Sequence, residues 1–215
     1  CDIVGFTSIL ESKKLFPFSW AAPLSGIVVK NVEIGWYARD IKIPNSQKWK
    51  NKRIFIIIGA SDFATKLWLN GDFVGEHEGG YTLFEFEISK FIKKNQSNRL
   101  IIRVEDKLLP SRLIGKQDEY GDAKGIWQTV YLEARSENYI KLTRFSPDVD
   151  NKKVTVKIEL AESPKNELKL YLLFKDQNVK TVQKAIPPRH KNIEFVTSIT
   201  NPRFWTLNDP YLYDV

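Results

Sequence analysis

The sequence has no methionine, one cysteine and two histidines among its 215 residues. A single cysteine excludes an internal disulfide. Two histidines far apart, at positions 77 and 190, and one terminal thiol cannot make up the ligand set of a zinc site, so no cofactor is expected. Long apolar runs are also missing. The longest, Ile54-Phe55-Ile56-Ile57-Ile58, has the length of a strand and falls well short of the ~18 residues that a membrane helix needs. No transmembrane span is therefore expected. Nor is there a strand–helix alternation with a period of ~30 residues, which excludes a (β/α)8 barrel inside the chain; that barrel alone takes about 250 residues.

With cysteine at position 1 and no methionine, two readings of the first residue stand side by side. One is a processed lipoprotein, cut just before a cysteine that then carries lipid, which places the protein in the periplasm or at the cell surface. The other is a cut within a longer polypeptide, which leaves the cytoplasm open. The formal charge is +7, mostly from lysine. The lysines are scattered, with no arginine-rich stripe and no nucleic-acid motif. They read as a solvated surface, and no nucleic-acid partner is expected.

What is present is β pattern throughout. Phe84-Glu85-Phe86-Glu87-Ile88 and Val154 to Leu160 alternate with period two, the mark of a strand with one buried and one wet face. Further strands are expected at Tyr37 to Ile43, Arg53 to Ile58, Lys66 to Leu69, Leu100 to Val104, Thr129 to Leu132, Leu168 to Phe174 and Ile193 to Val196. Only Ser89 to Lys94 suggests a helical turn. Asn70-Gly71, between Leu67-Trp68-Leu69 and Phe73-Val74, suits the positive φ angles of a type I′ hairpin. The polar stretch after Glu133 reads as a boundary, dividing the chain into residues 1–135 and 136–215.

Several runs carry more than strand pattern. Leu67 to Ile88 combines the hairpin turn with glycines at 75, 79 and 80, which suit close backbone approach. A polar loop with Asp118, Glu119, Tyr120 and Asp122 lies between Gly115-Lys116-Gln117 and Gly125-Ile126-Trp127-Gln128. Such a loop can hydrogen-bond sugar hydroxyls or simply be solvated. Among the tryptophans, Trp68 and Trp127 are expected in the core, with Trp36 and Trp205 left open.

Taken in order, these motifs resemble one family. Leu24-Ser25-Gly26, Gly35-Trp36-Tyr37, Leu67-Trp68-Leu69-Asn70-Gly71 with Val74-Gly75, His77, Gly79-Gly80-Tyr81 and Gly125-Ile126-Trp127-Gln128 are similar to the sugar-binding domain of family 2 glycoside hydrolases. That family includes β-galactosidases, β-glucuronidases and β-mannosidases. Phe204 to Val215 resembles the close of the family's second domain, with Leu207 where the pattern has proline. The resemblance runs over roughly residues 17–215.

The resemblance implies an all-β chain: a jelly-roll-like (galactose-binding-like) β-sandwich, then an immunoglobulin-like β-sandwich. It implies that the catalytic barrel, which carries the two glutamates of a retaining mechanism, is not encoded in these residues. No catalytic residue is expected here, and carbohydrate is met through the barrel. One substrate-contacting position is implied in the first domain, just ahead of Gly125-Ile126. Counting back gives Glu119, with Asp118 and Asp122 as neighbours able to do the same work. Asn166-Glu167 imitates the family's acid/base pair, but it lies in a turn of the second sandwich and reads as coincidence. In the family, Leu212-Tyr213-Asp214-Val215 opens the last strand of the second domain, so that strand is expected to be cut short. A homodimer is a plausible assembly. Two other readings differ in class: a free-standing carbohydrate-binding module, and a protein-interaction sandwich.

Overall fold

The computed structural model describes residues 2–5, 12–13, 18–28, 32–107, 123–175 and 181–215. Cys1, Gly115-Lys116-Gln117, Asp118, Glu119, Tyr120 and Asp122 lie outside the described residues. The chain is all-β. Sixteen strands and one 3-10 turn, with no α-helix, make up its regular structure among the described residues. No helix among them is long and apolar enough to cross a membrane. The chain forms two compact units, Cys1–Arg135 and Ser136–Val215.

In the first unit, six strands make an antiparallel sheet in the order β2-β1-β3-β9-β6-β7. These are β1 (Asp2–Gly5), β2 (Ser12–Lys13), β3 (Ile34–Lys42), β6 (Ala64–Leu69), β7 (Asp72–Glu78) and β9 (Ser97–Glu105). A second sheet, β11-β4-β8, is built from β4 (Arg53–Ile58), β8 (Phe84–Glu87) and β11 (Val130–Arg135). The short strands β5 (Ser61–Asp62) and β10 (Gly125–Ile126) pair with each other.

Alternation explains the core. On β6, Thr65, Leu67 and Leu69 are buried while Lys66 and Trp68 lie on the other face. On β9, Asn98, Leu100, Ile102 and Val104 point inward. Ile54, Ile56, Ile58 and Phe84 of the second sheet meet them in one apolar cluster. Each such side chain contributes roughly 1.5–3 kcal/mol through burial. The apolar run of β4 buries both faces because its outer side is covered as well. The Arg135 guanidinium lies 4.4 Å from the Phe55 ring centre, and that of Arg53 lies 5.5 Å from it. Glu85 grips Arg135 with two hydrogen bonds of 2.7 and 2.6 Å.

The turn at Asn70-Gly71 has φ of 57° and 95°, the two positive angles that the type I′ hairpin between β6 and β7 requires. Two expectations need correction. Ser89 to Lys94 is not helical; its one turn closes with Phe91 N donating to Ile88 O. Trp68 is not in the core. Its neighbours Leu67 and Leu69 take the inward positions of β6, so strict period-two geometry puts Trp68 on the outer face.

The second unit has a three-stranded sheet, β12-β13-β16, and a two-stranded one, β14-β15. Their strands are β12 (Ile140–Asp148), β13 (Lys153–Leu160), β14 (Leu168–Leu172), β15 (Val182–Ile186) and β16 (Asn192–Ser198). Val156, Ile158 and Leu160 of β13 pack with Leu170, Leu172, Ile186 and Phe195. After β16 no regular element forms. There Arg203 holds Asp209 through two nitrogens and covers the Tyr211 ring at 4.3 Å. Leu207, at the position of the pattern's proline, is 88% exposed.

Candidate functional site

The expected substrate-contacting residues Asp118, Glu119 and Asp122 lie outside the described residues, but the elements on both sides of their segment are described. On the near side, β9 ends at Glu105 and is followed by the buried Asp106, whose N–H donates to Glu33 O at 2.7 Å. On the far side, buried Lys124 leads into β10, and its carbonyl accepts from Trp20 N at 3.1 Å. The feet of the segment are therefore tied to the framework by backbone.

Trp20 organises that framework. It is almost fully buried and donates from Nε1 to the Tyr37 hydroxyl at 2.5 Å. The same oxygen accepts from Ile126 N at 2.9 Å. Burial pushes the Tyr37 phenol far above its ordinary value, outweighing the two hydrogen bonds that lower it, so it stays neutral at any physiological pH. Ser25, in the 3-10 turn Pro23–Ser25, donates from its hydroxyl to Trp20 O and accepts from Ile27 and Val28 N.

Gly125 is the piece that only glycine can fill. Its φ is +77°, and a Cβ there would come within 2.2 Å of Trp20 Nε1 and 2.4 Å of the Tyr37 oxygen. The Gly-Ile pair thus lets the chain pass directly over the Trp20–Tyr37 hydrogen bond and re-enter the fold beside Asp62.

Next to it lies an aromatic edge. Trp127 Nε1 donates to Gly80 O at 2.8 Å, and its ring meets Tyr81 edge-on at 6.0 Å. Trp127 is thus half-buried in a loop contact and not in the central cluster where it was expected. Gly80 sits over the buried Asp62 carboxylate, with a virtual Cβ 2.7 Å from it. Ser61 and Thr65 bond to each other beneath, at 2.9 Å. Tyr81 and Leu83 are well exposed.

His77 stacks on Phe84 with ring centres 3.9 Å apart and planes 13° from parallel. Its Nε2 is buried without a hydrogen-bond partner. Desolvation holds its pKa below the ordinary value, opposed by the nearby Glu78 charge, so this ring favours the neutral form.

The arrangement is a rim: two feet bonded through their backbone, a glycine-only crossing and an aromatic pair of half-buried Trp127 and exposed Tyr81. It offers flat, partly apolar surface to a ligand. Among the described residues no group of three or more His, Cys, Asp or Glu is placed to hold a metal ion. Asn166-Glu167 lies at an exposed bend just before β14. The sequence singled out Gly125 and the Gly79-Gly80-Tyr81 run as motif, but it did not identify Trp20, whose role depends on Tyr37 and Gly125 meeting it in space. Its only local signal was a tryptophan close before Leu24-Ser25-Gly26.

Comparison with known proteins finds relatives for both units. The domain family described as "Glycosyl hydrolases family 2, sugar binding domain" matches residues 15–135, and "Glycosyl hydrolases family 2" matches residues 138–215. A beta-galactosidase of Thermoanaerobacter pseudethanolicus is 30% identical over 192 residues, covering 85% of this chain and 25% of that protein. A beta-glucuronidase of Bacteroides fragilis is 27% identical over 225 residues, covering 93% of this chain and 31% of that protein. The crystal structure of Bacteroides uniformis beta-glucuronidase superposes with a TM-score of 0.66 at 25% identity, covering 84% of this chain and 23% of that one. The chain therefore spans between about a quarter and a third of the length of these relatives.

Proposed function

The chain belongs to family 2 of the glycosyl hydrolases, and from that premise we propose that it is the non-catalytic N-terminal part of a retaining β-glycosidase. In this reading the two sandwiches brace a barrel that carries both catalytic carboxyl groups. Retaining hydrolysis needs two such groups about 5–5.5 Å apart, one to protonate the leaving group and one to form the glycosyl intermediate. The chain's own contribution is the segment between Asp106 and Lys124, held at both feet, with Glu119 reaching substrate hydroxyls and Asp118 and Asp122 beside it. β-Galactosidase is the favoured activity of the whole enzyme, ahead of β-glucuronidase and β-mannosidase, since the relative that matches at 30% identity is named a beta-galactosidase.

The observation that carries this is that two consecutive domain matches from one family account for residues 15–135 and 138–215, and both fall on β-sandwich units. The test is direct. The purified chain is assayed against nitrophenyl β-galactoside and β-glucuronide, with no turnover expected; measurable hydrolysis would end the proposal. In a polypeptide that includes the barrel, Glu119→Ala is expected to lower kcat/KM by about tenfold or more, the effect of one lost substrate-positioning hydrogen bond. An unchanged kcat/KM would remove Glu119 from the site. Size measurement by light scattering tests the accompanying expectation of a homodimer.

A further inference from the structure

Six of the lysines that lie apart in the sequence are gathered by the fold at one end of the first unit. Register puts two connections there. β3 ends at Lys42 opposite Ser97, the first residue of β9, so the connections 43–52 and 88–96 leave the six-stranded sheet side by side. The second sheet joins them again: Ile88 N donates to Ile54 O and Ile54 N donates to Ser89 Oγ, both at 2.8 Å. The first connection carries Lys48, Lys50 and Lys52, the second Lys90, Lys93 and Lys94, and neither contains an aspartate or a glutamate. Residues of both, Lys50, Lys52 and Lys94 among them, line one shallow recess of ≈ 440 Å³.

Two features set this cluster apart from ordinary surface charge. The acidic residues next to it in the sequence are already engaged. Glu87 is held by Arg53 at 2.6 Å and accepts from Ser89 Oγ at 2.9 Å, while Asp40 pairs with Arg99 at 3.3 Å. The six ammonium groups therefore sum to a field of one sign. The backbone that carries them is also tied down. Lys93 N donates to Oδ1 of the buried Asn98 at 2.7 Å, Asn70 Nδ2 donates to Phe91 O at 2.8 Å, and the N–H groups of Trp49 and Lys50 both donate to Ser46 O.

Trp49 stands between Lys48 and Lys50. Its ring is half-buried against the apolar cluster and lines the recess with Ile43 and Ile92. Cations around one half-sunk indole suit a surface of phosphate head groups: the lysines meet the phosphates, and the indole rests at the boundary between head groups and hydrocarbon. Nucleic acid asks for different parts. Among the described residues the two connections offer no row of exposed rings on which bases stack, and no helix or strand to enter a groove. We propose that the lysine-rich end of the first unit, formed by connections 43–52 and 88–96, is a docking surface for an anionic phospholipid bilayer.

Docking at this end is independent of the barrel, so turnover by the chain would sink the earlier proposal and leave this one. The whole chain is sedimented with vesicles of phosphatidylcholine alone and with vesicles that contain about one third phosphatidylglycerol. Binding to the anionic vesicles should be tighter by about tenfold or more, and rising salt should weaken it. Lys48→Ala, Lys50→Ala and Lys94→Ala combined should weaken it by about a hundredfold, roughly fivefold for each lysine. The same loss of charge at Lys153, Lys165 and Lys169, exposed in the second unit, should cost less than about fivefold. Nitroxide-labelled head groups should quench tryptophan emission, and Trp49→Phe should remove most of that quenching, a readout that net charge does not move. Equal binding to the two kinds of vesicle would overturn the proposal. So would equal losses in the two triple variants, or quenching that survives Trp49→Phe. Tighter binding to a DNA duplex than to the anionic vesicles would overturn it in favour of a nucleic-acid partner.

Discussion

The two units share an architecture of packed antiparallel sheets but differ in how far each covers its own apolar surface. The first unit closes its cluster around Trp20, Tyr37, Ile56, Ile58, Leu67 and Ile126, each buried almost completely. The second gathers a smaller cluster and leaves Ile140, Leu142, Phe145, Tyr171, Leu173, Val196, Phe204, Trp205 and Leu212 largely exposed. Every position of β12 is exposed. A strand can thus keep its ladder, as β12 does along β13, while adding little hydrophobic stabilisation. Backbone pairing and core burial are separable, and the second unit shows the first with less of the second. Unfolding should accordingly occur in two transitions, the second unit first, with dye binding to exposed apolar surface before either. A single cooperative transition at all denaturant concentrations would contradict this.

The largest effect should come from Gly125→Val. Positive φ and a Cβ driven into Trp20 and Tyr37 should cost the first unit more than about 3 kcal/mol, or prevent its folding, while the second unit's transition stays where it is. A shift in both transitions would mean that the units do not unfold independently. Next is the paired comparison of Ile56→Ala with Leu142→Ala. The first, in a filled core, should cost about 3 kcal/mol. The second, on an exposed strand, should stay within about 0.5 kcal/mol. Equal costs would show that β12 is better covered than its exposure indicates. Tyr37→Phe leaves two buried donors, Trp20 Nε1 and Ile126 N, without their acceptor and should cost about 2 kcal/mol.

The smallest effect is in pH. Hydrogen bonds from Arg53 and Arg135 hold the carboxyls of Glu87 and Glu133 below their ordinary values. A carboxylate favoured in the folded state stabilises it above the unfolded value of about 4.3. That contribution is lost as pH falls through the lower folded value. Acidification below about pH 4 should therefore lower the first unit's stability, by under about 1 kcal/mol for each partly exposed pair, and its unfolding midpoint with it. Glu87→Gln should remove its share of the pH dependence. A midpoint that rises on acidification would show that these carboxylates do not stabilise the folded unit.

Much of the fold was legible locally. Arg53 to Ile58 formed the strand expected of it, residue for residue, because a β-branched run of that length has few other outcomes. The Asn70-Gly71 hairpin formed for the same kind of reason, since its residues tolerate the angles the turn needs. Strands such as β12 and β15 were harder to read. Arg144 breaks the alternation that Ile140 to Thr143 begins, and the Gln183-Lys184 pair breaks it in β15, so pairing with β13 and β14 decides their conformation. Trp68 shows the limit most clearly. Its hydrophobicity argued for the core, while its place between Leu67 and Leu69 fixed it outward. Of the candidate site, the Gly125-Ile126 motif was visible and its reason was not. Glu119, Asp118 and Asp122 lie outside the described residues.

The order of apolar, turn and glycine residues was enough to determine an all-β chain with a tight hairpin at Asn70-Gly71. Those are consequences of side-chain period and backbone angle, which act over a few residues; the family was legible separately, as a resemblance of motifs in order. Three features needed the folded chain: the Trp20–Tyr37 hydrogen bond beneath Gly125, the burial of Phe55 under Arg135, and the pairing of Trp36 with Trp68 across β9. Tyr37 is met by Trp20 from outside the strands and by Ile126 from 89 positions away, Arg135 reaches Phe55 across a strand pair, and Trp36 and Trp68 sit on strands with β9 between them; only the folded chain brings such partners within contact distance.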